Sequence, residues 1–248
     1  MAQNIYDQEG FFRQYIELPR QKIGLDGAPE WPSLRAMLPA DLTRKKLLDL
    51  GCGFGWVCRW AREQGASEAL GVDLSENMLA KAKAFPEDAG IKYLRADLDS
   101  LEFPPNTYDV VFSSLTLHYL KDLPRLTAQL FSTLRAGGTF VFSVEHPLWT
   151  SPSSPEFIQD SEGRTIWPLD RYLDEGDRIT NWMADGVIKQ HRTLATYINT
   201  LLEAGFTLSA IDEWGPSDEN LAANPGWGKA RIRPPFLLMR ASKLGSGK

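Results

Sequence analysis

Three glycines at alternate positions, Gly51, Gly53 and Gly55, follow the apolar run "LLDL" and precede the helix-like "WVCRWA". Glycine there permits a tight turn and lets a ligand lie against the main chain. In an open parallel sheet, ligands collect at such turns beyond the carboxyl ends of the strands. Two acids extend the pattern. Asp73 stands 22 residues after Gly51, at the end of the next apolar run, where a carboxylate can accept both hydroxyls of a ribose. Asp97 ends the run after that, in "RADL". Its side chain can accept from an adenine amino group while the following N–H donates to the ring. Either acid alone is commonly a cap or turn residue; both, in step with the glycine loop, point to a nucleoside. A dinucleotide would also need a glycine at position 56, where pyrophosphate meets the helix start. That position is tryptophan. G-x-G-x-G suits a nucleoside with a short zwitterionic tail, and disfavours a nicotinamide-dependent oxidoreductase.

The elements that must hold these residues are legible as patterns. Residues 6–38 read as helices broken at Gly24, Gly27 and Pro29, with Phe11, Tyr15 and Leu18 on one face and Trp31, Leu34 and Leu38 on another. Strands are expected at 46–50, 68–73, "IKYLRADL", 108–115 and 139–145, with helices after the first, second and fourth. Ser75 is an expected N-cap, and Gly137 is expected to close the helix of "LPRLTAQLFSTLRAGG". Strands alternating with helices imply a parallel sheet covered on both faces. The rhythm breaks over 147–192, which holds four prolines, three tryptophans and Tyr172, with a hairpin expected to turn at Asp185-Gly186. A helix resumes with Leu194, Ile198, Leu201 and Leu202 on one face, then two strands separated by a long polar loop.

With 248 residues and 43% hydrophobic content, the chain can fill one sizeable core. Its net charge of −5 and the absence of a Lys/Arg run argue against nucleic acid as a partner. The two cysteines, Cys52 and Cys58, form neither a disulfide framework nor a metal-ligand pattern. No leader pattern or apolar run of spanning length is evident, so a reduced, cytoplasmic protein without a membrane partner is expected.

At "LLDLGCGFG", "GVDLSENMLAKAK", "ADLDSLEFPPNTYDVVFSSLTLHYL" and "LRAGGTFVFSVEHP" the chain resembles the class I S-adenosylmethionine-dependent methyltransferases, of the small-molecule, methyltransferase type 11-like kind with an N-terminal helical cap. The resemblance spans roughly residues 45–146, and "EAGF" to "FLLMRASK" is similar to the family's last helix and strands. It implies an α/β, Rossmann-like, doubly wound fold: a seven-stranded, mostly parallel sheet with helices on both faces and one antiparallel strand near an edge. One domain is then expected, with a cap at 1–44, a cofactor-binding core at 45–146, a substrate-side insertion at 147–192 after the fifth strand, and the last helix and strands at 193–248. The implied cofactor is S-adenosyl-L-methionine. Gly51, Gly53 and Cys52 would pass its methionine part, with Asp49 supporting the loop. Asp73 would hold the ribose, Leu74 and Met78 would pack on the adenosine, and Asp97 and Leu98 would read the adenine edge. Ser113 would border the methionine amino group, and Tyr15 and Trp31 would close from the cap.

Methyl transfer from a sulfonium is an in-line displacement by an already activated donor, so alignment and exclusion of water dominate, and a base is needed only for a protonated acceptor. The three histidines, His118, His146 and His191, are the candidate acceptor-side residues, with Tyr119 a further wall. The aromatic residues of the insertion suit a planar or cationic small-molecule acceptor, or form a satellite core. A nucleic-acid (tRNA) base methyltransferase and a non-catalytic cofactor-binding protein are the alternatives. Against the former, "SSLTLHY" lacks the Asn/Asp-Pro-Pro-aromatic motif of base-amino methylation.

Overall fold

A computed structural model describes residues 3–245. The chain opens with a 3-10 turn at Ile5–Asp7 and three short helices, α1 (Glu9–Tyr15), α2 (Pro19–Lys22) and α3 (Trp31–Met37). The alternating stretch follows: β1 (Lys46–Leu50), α4 (Trp56–Glu63), β2 (Glu68–Asp73), α5 (Glu76–Lys83), β3 (Ile91–Arg95), β4 (Tyr108–Ser114), α6 (Leu123–Thr133) and β5 (Leu134–Glu145). Beyond it lie α7 (Pro147–Thr150), two short pairing strands β6 (Ile158–Gln159) and β7 (Thr165–Ile166), and the hairpin β8 (Gly176–Trp182) and β9 (Ala184–His191). The chain ends with α8 (Leu194–Glu203), β10 (Thr207–Trp214), α9 (Asp218–Ala223) and β11 (Phe236–Ser242).

Seven strands form one sheet in the order β10-β11-β5-β4-β1-β2-β3. β11 runs antiparallel to both its neighbours, and the other ladders are parallel. Because both faces are covered, neighbouring residues of one strand enter different cores. Leu48, Val111, Phe140, Phe142, Leu237 and Met239 pack with α6 and α8 on one face. Leu47, Phe112, Val141 and Leu238 pack with α3 and α4 on the other. The strand order reverses between β1 and β4, which places the glycine loop after β1 at the switch point where a crevice opens.

Four local expectations are corrected. Gly137 does not close α6. The helix ends at Thr133, because Leu134 is fully buried and pairs with Tyr108 in the sheet. Gly137, at φ 80°, lies instead in the irregular stretch where the β4–β5 register slips, and its N–H donates to the Lys243 carbonyl at 2.8 Å. The hairpin turns at Met183 (φ 58°), held by Gln14 Nε2 donating to its carbonyl at 2.9 Å. Asp185 and Gly186 form a bulge opposite Asn181. On α8 the buried face carries Tyr197 and Leu201, while Leu202 is half exposed. The polar stretch between the last strands contains α9, whose start is fixed by a reciprocal Ser217–Asn220 capping box.

Candidate active site

The loop after β1 fixes the site. Gly51, Gly53 and Gly55 all have positive φ (70°, 52° and 71°). A Cβ at Gly51 would collide with Thr116 and one at Gly55 with Tyr93, whereas nothing lies within 4 Å of the Cβ direction at Gly53. Two of the glycines therefore serve packing; Gly53 alone presents bare backbone to open space, the condition for close ligand approach.

Asp73, at the end of β2, is partly buried and accepts two main-chain N–H groups, Gly53 at 2.8 Å and Ser75 at 2.9 Å. Burial pushes its pKa up to about 6 despite those bonds. Burial likewise pushes Asp49 up to about 7, against the Cys58 thiol that donates to it at 3.7 Å. Both cysteines are free, and burial raises both thiols well above the ordinary value. They are small core residues here, though Cys52 also lines the cleft.

On one side of the loop the cleft is lined by Gly51, Gly53, Asp73, Leu74, Met78, Asp97, Leu98 and, from the N-terminal segment, Tyr6 and Tyr15. On the other side it is lined by Asp49, Cys52, Trp31, Arg20, Glu30 and Trp56. Fully buried Glu30 pairs with Arg20 at 2.9 Å, and Trp56 Nε1 is buried with no hydrogen-bond partner. This half thus offers carboxylates, a guanidinium and an unused N–H donor within one recess, a donor set that fits the ammonium and carboxylate of an amino-acid tail. The half around Asp73 and Asp97 fits the hydroxyls and ring of a nucleoside.

Ser113 is not in this cleft. It is fully buried within the sheet, and its hydroxyl donates to the Leu50 carbonyl at 2.9 Å. The alternation of the strand puts Ser114 on the cleft side instead, lining both halves.

The N-terminal segment is latched over the nucleoside half. Asp7 accepts from the Ser75 hydroxyl and from the main-chain N–H groups of Glu76 and Asn77, capping α5 from outside. Burial alone would raise its pKa, but these bonds hold it below the ordinary value. Gln3 exchanges two side-chain bonds with the β9 main chain, at Gly186 and Ile188.

A third recess of about 340 Å³ adjoins the cleft and shares Tyr6, Tyr15, Leu115 and Tyr119 with its nucleoside half. Its other walls are Leu18, Arg20, His118, Glu145, Trp149, Trp182, Pro235 and Phe236. Of the three histidines, only His118 lines it. Its Nδ1 accepts from the Glu145 N–H at 3.4 Å, which assigns the proton of the neutral ring to Nε2. Burial, then the charges of Lys189 and Arg192, hold its pKa well below the ordinary value.

His146 and His191 are spent on structure. His146 Nδ1 caps α7 by accepting from the Leu148 N–H at 3.1 Å, and Nε2 meets Glu213 at 2.9 Å. His191 is fully buried between the Thr150 hydroxyl (2.8 Å) and the Tyr172 carbonyl (2.9 Å). Both ring nitrogens of each are engaged, and neither residue lines a recess of the site.

Tyr6, Leu18, Arg20, Leu115, Glu145, Pro235 and Phe236 of the recess walls escaped sequence reasoning. Leu115 adopts φ 52°, a left-handed conformation costly for leucine, directly after β4. The end of a strand was its only sequence signal. Tyr6, Arg20 and Glu145 reach the site only through the tertiary packing of segments far apart in the chain.

A family model for the methyltransferase domain matches residues 48–142. An S-adenosylmethionine dependent methyltransferase of Mesorhizobium loti is similar in structure with a TM-score of 0.85 and 51% identity, covering 88% of this chain and 100% of that one. An uncharacterised protein of Haemophilus influenzae is 34% identical over 97% of both chains. The malonyl-[acyl-carrier protein] O-methyltransferase of Serratia marcescens is 36% identical over 40% of this chain and 38% of its own length. No helix among the described residues is long and apolar enough to cross a membrane, and among them no group of His, Cys, Asp and Glu is arranged to hold a metal ion. A bare-backbone glycine loop, successive strand-end acids and full-length similarity thus converge: this chain belongs to the S-adenosylmethionine-dependent methyltransferases and uses S-adenosyl-L-methionine as its cofactor.

Proposed function

We propose that the enzyme methylates a small-molecule acceptor held in the recess between the N-terminal segment, the hairpin and the ends of β5 and β11. The observation that carries this is adjacency: the recess shares Tyr6, Tyr15, Leu115 and Tyr119 with the cofactor cleft, and its 340 Å³ suits a small molecule. S-adenosylmethionine supplies an activated methyl group. The chain's own residues bind, orient and exclude water.

In this assignment Asp73 accepts the ribose hydroxyls, with Leu74 and Met78 against the adenosine. Asp97 and the Leu98 N–H meet the adenine edge. Gly51, Gly53 and Cys52 border the methionine tail. Arg20 and Trp56 Nε1 face its carboxylate, and Asp49 and Glu30 its ammonium. Tyr15 stands between donor and acceptor, and Trp31 backs the tail from α3. His118, neutral at physiological pH, donates a hydrogen bond from Nε2 without acting as a base. Two buried, reduced cysteines suit a cytoplasmic setting.

The test is calorimetric titration with S-adenosylmethionine, S-adenosylhomocysteine and NAD in parallel. Micromolar binding of both S-adenosyl compounds with none of NAD is expected; binding of NAD alone would refute the site assignment.

A further inference from the structure

The acceptor recess has an aromatic lining in which Tyr6, Tyr15, Tyr119, Trp149, Trp182 and Phe236 all take part. Such a box ordinarily invites a cationic ligand onto the ring faces. Here cations of the protein already stack on these rings, Arg20 from within the lining and Arg233 and Lys189 from behind it. The Arg233 guanidinium stacks 3.4 Å from the centroid of Trp149, Lys189 Nζ lies 5.1 Å from that of Trp182, and Arg20 lies 5.9 Å from that of Phe236. Arg233 and Lys189 are themselves almost fully buried. Arg192, also buried, bonds the Leu117, Leu120 and Lys121 carbonyls beside His118. Of these cations, Arg20 pairs with Glu30 and Lys189 with Glu145, while Asp73 acts on Tyr6 and Tyr15 from the cleft side. Beside Trp149, Trp182 and His118 the cations Arg233, Lys189 and Arg192 outnumber the carboxylate Glu145, and an ammonium acceptor would enter that end against their field.

One polar atom of the lining is unsatisfied. Glu145 Oε1 accepts from Lys189 Nζ at 2.6 Å, but Oε2 is buried with no partner. A buried carboxylate oxygen without a donor is costly and is relieved by a ligand that brings one. We infer that the acceptor class is a neutral, planar aromatic molecule bearing a hydroxyl, its ring stacked in the box and its O–H donated to Glu145 Oε2. This rests on the recess being the acceptor site, as proposed above, and replaces the expectation of a planar or cationic substrate with a planar, uncharged one.

The experiment uses the full chain. S-adenosylhomocysteine is titrated first, then the loaded protein is titrated with three probes of one shape: 2-naphthol, 2-methoxynaphthalene and trimethyl(2-naphthyl)ammonium. The expected order is 2-naphthol tightest, with the ether at least fivefold weaker for want of a donor and the ammonium at least tenfold weaker. Arg233→Met should shrink the discrimination against the ammonium severalfold; if that variant does not fold, the ratios in the unmodified chain decide. An ammonium bound as tightly as the naphthol, or no naphthol binding by loaded protein, would overturn the inference while leaving the cofactor assignment intact. Failure of S-adenosylhomocysteine to bind would instead overturn the cofactor assignment beneath it.

Discussion

Asp73→Asn separates the cost of burying a charge from its use. In the free enzyme Asp73 is partly buried, and its pKa of about 6 against an ordinary 3.8 corresponds to about 3 kcal/mol of penalty on the ionised form. The folded-state value lies above the unfolded one. The stability tied to this group is therefore fully present below about pH 4 and is lost as pH rises through about 6. Asparagine carries no such penalty. It does turn an NH₂ toward either the Gly53 or the Ser75 N–H, both now held by the carboxylate, at about 1–3 kcal/mol. The two effects nearly cancel at neutral pH, so the melting temperature of the free variant should stay within a few degrees of wild type. Cofactor binding has no such compensation. Charge-assisted bonds to a ribose are worth about 1.5–3 kcal/mol each, and losing about one of them weakens binding roughly 10- to 100-fold. Calorimetry with S-adenosylhomocysteine from pH 5 to 7.5 provides the assay. Wild-type affinity should rise through about pH 6 as the acid ionises, and that rise should vanish in the variant. A folded variant within threefold of wild type, or a flat wild-type profile, would refute the ribose assignment.

The two outer faces of the glycine loop should respond differently: Gly53→Ala places a methyl in open cleft space and lowers S-adenosylhomocysteine affinity at least tenfold, at about 1–2 kcal/mol of backbone strain. Gly51→Ala runs into the Thr116 side chain and should show its main effect as a fall in melting temperature. His191→Ala leaves the Thr150 hydroxyl and Tyr172 carbonyl without their buried partner, so stability should drop by about 2–3 kcal/mol in denaturant titration with cofactor affinity unchanged. Asp7→Ala removes the outside cap of α5, costs about 1–2 kcal/mol, and should speed amide exchange across residues 3–15 while weakening cofactor binding a few-fold.

What the sequence disclosed and what it withheld divide along a physical line. That the β1 loop, Asp73 and Asp97 share one cleft was legible because they stand at consecutive strand ends, where a residue's place in the alternation fixes its place in space. Ser113 failed by one residue, since the last turn of strand pleat decides which of two adjacent serines faces the cleft. The hairpin turn failed because Asp-Gly satisfies a bulge as well as a turn, and anchorage of Met183 by Gln14 chose between them. His146 and His191 looked chemical by residue type alone; only their buried partners identify them as a cap and a strut. The acceptor walls were least legible. Tyr6, Arg20, Glu145, Trp182 and Phe236 come from five segments whose meeting depends on how the N-terminal helices and the hairpin dock.

That docking also sorts charge. The proposed cofactor half gathers the carboxylates Asp49, Asp73 and Glu30, two of them with pKa values raised by burial and the third paired with Arg20, while Lys189 and Arg233 back walls of the proposed acceptor half, which Glu145 also lines. In the proposed assignment a ligand carrying a positive sulfonium would relieve the field of the first group and be opposed by that of the second. The raised acids of the free enzyme are the counterpart of this selectivity: carboxylates left without a cation are destabilised by the burial that lets them hold one tightly. The enzyme should therefore gain stability on binding S-adenosylmethionine beyond what it gains from an equal concentration of the uncharged thioether S-adenosylhomocysteine bound with the same affinity at low pH. The difference should grow as pH rises from 5 to 7 and these acids ionise. Thermal melts with each compound across that range measure it, and identical pH profiles for the two would show that the acids do not sense the sulfonium charge.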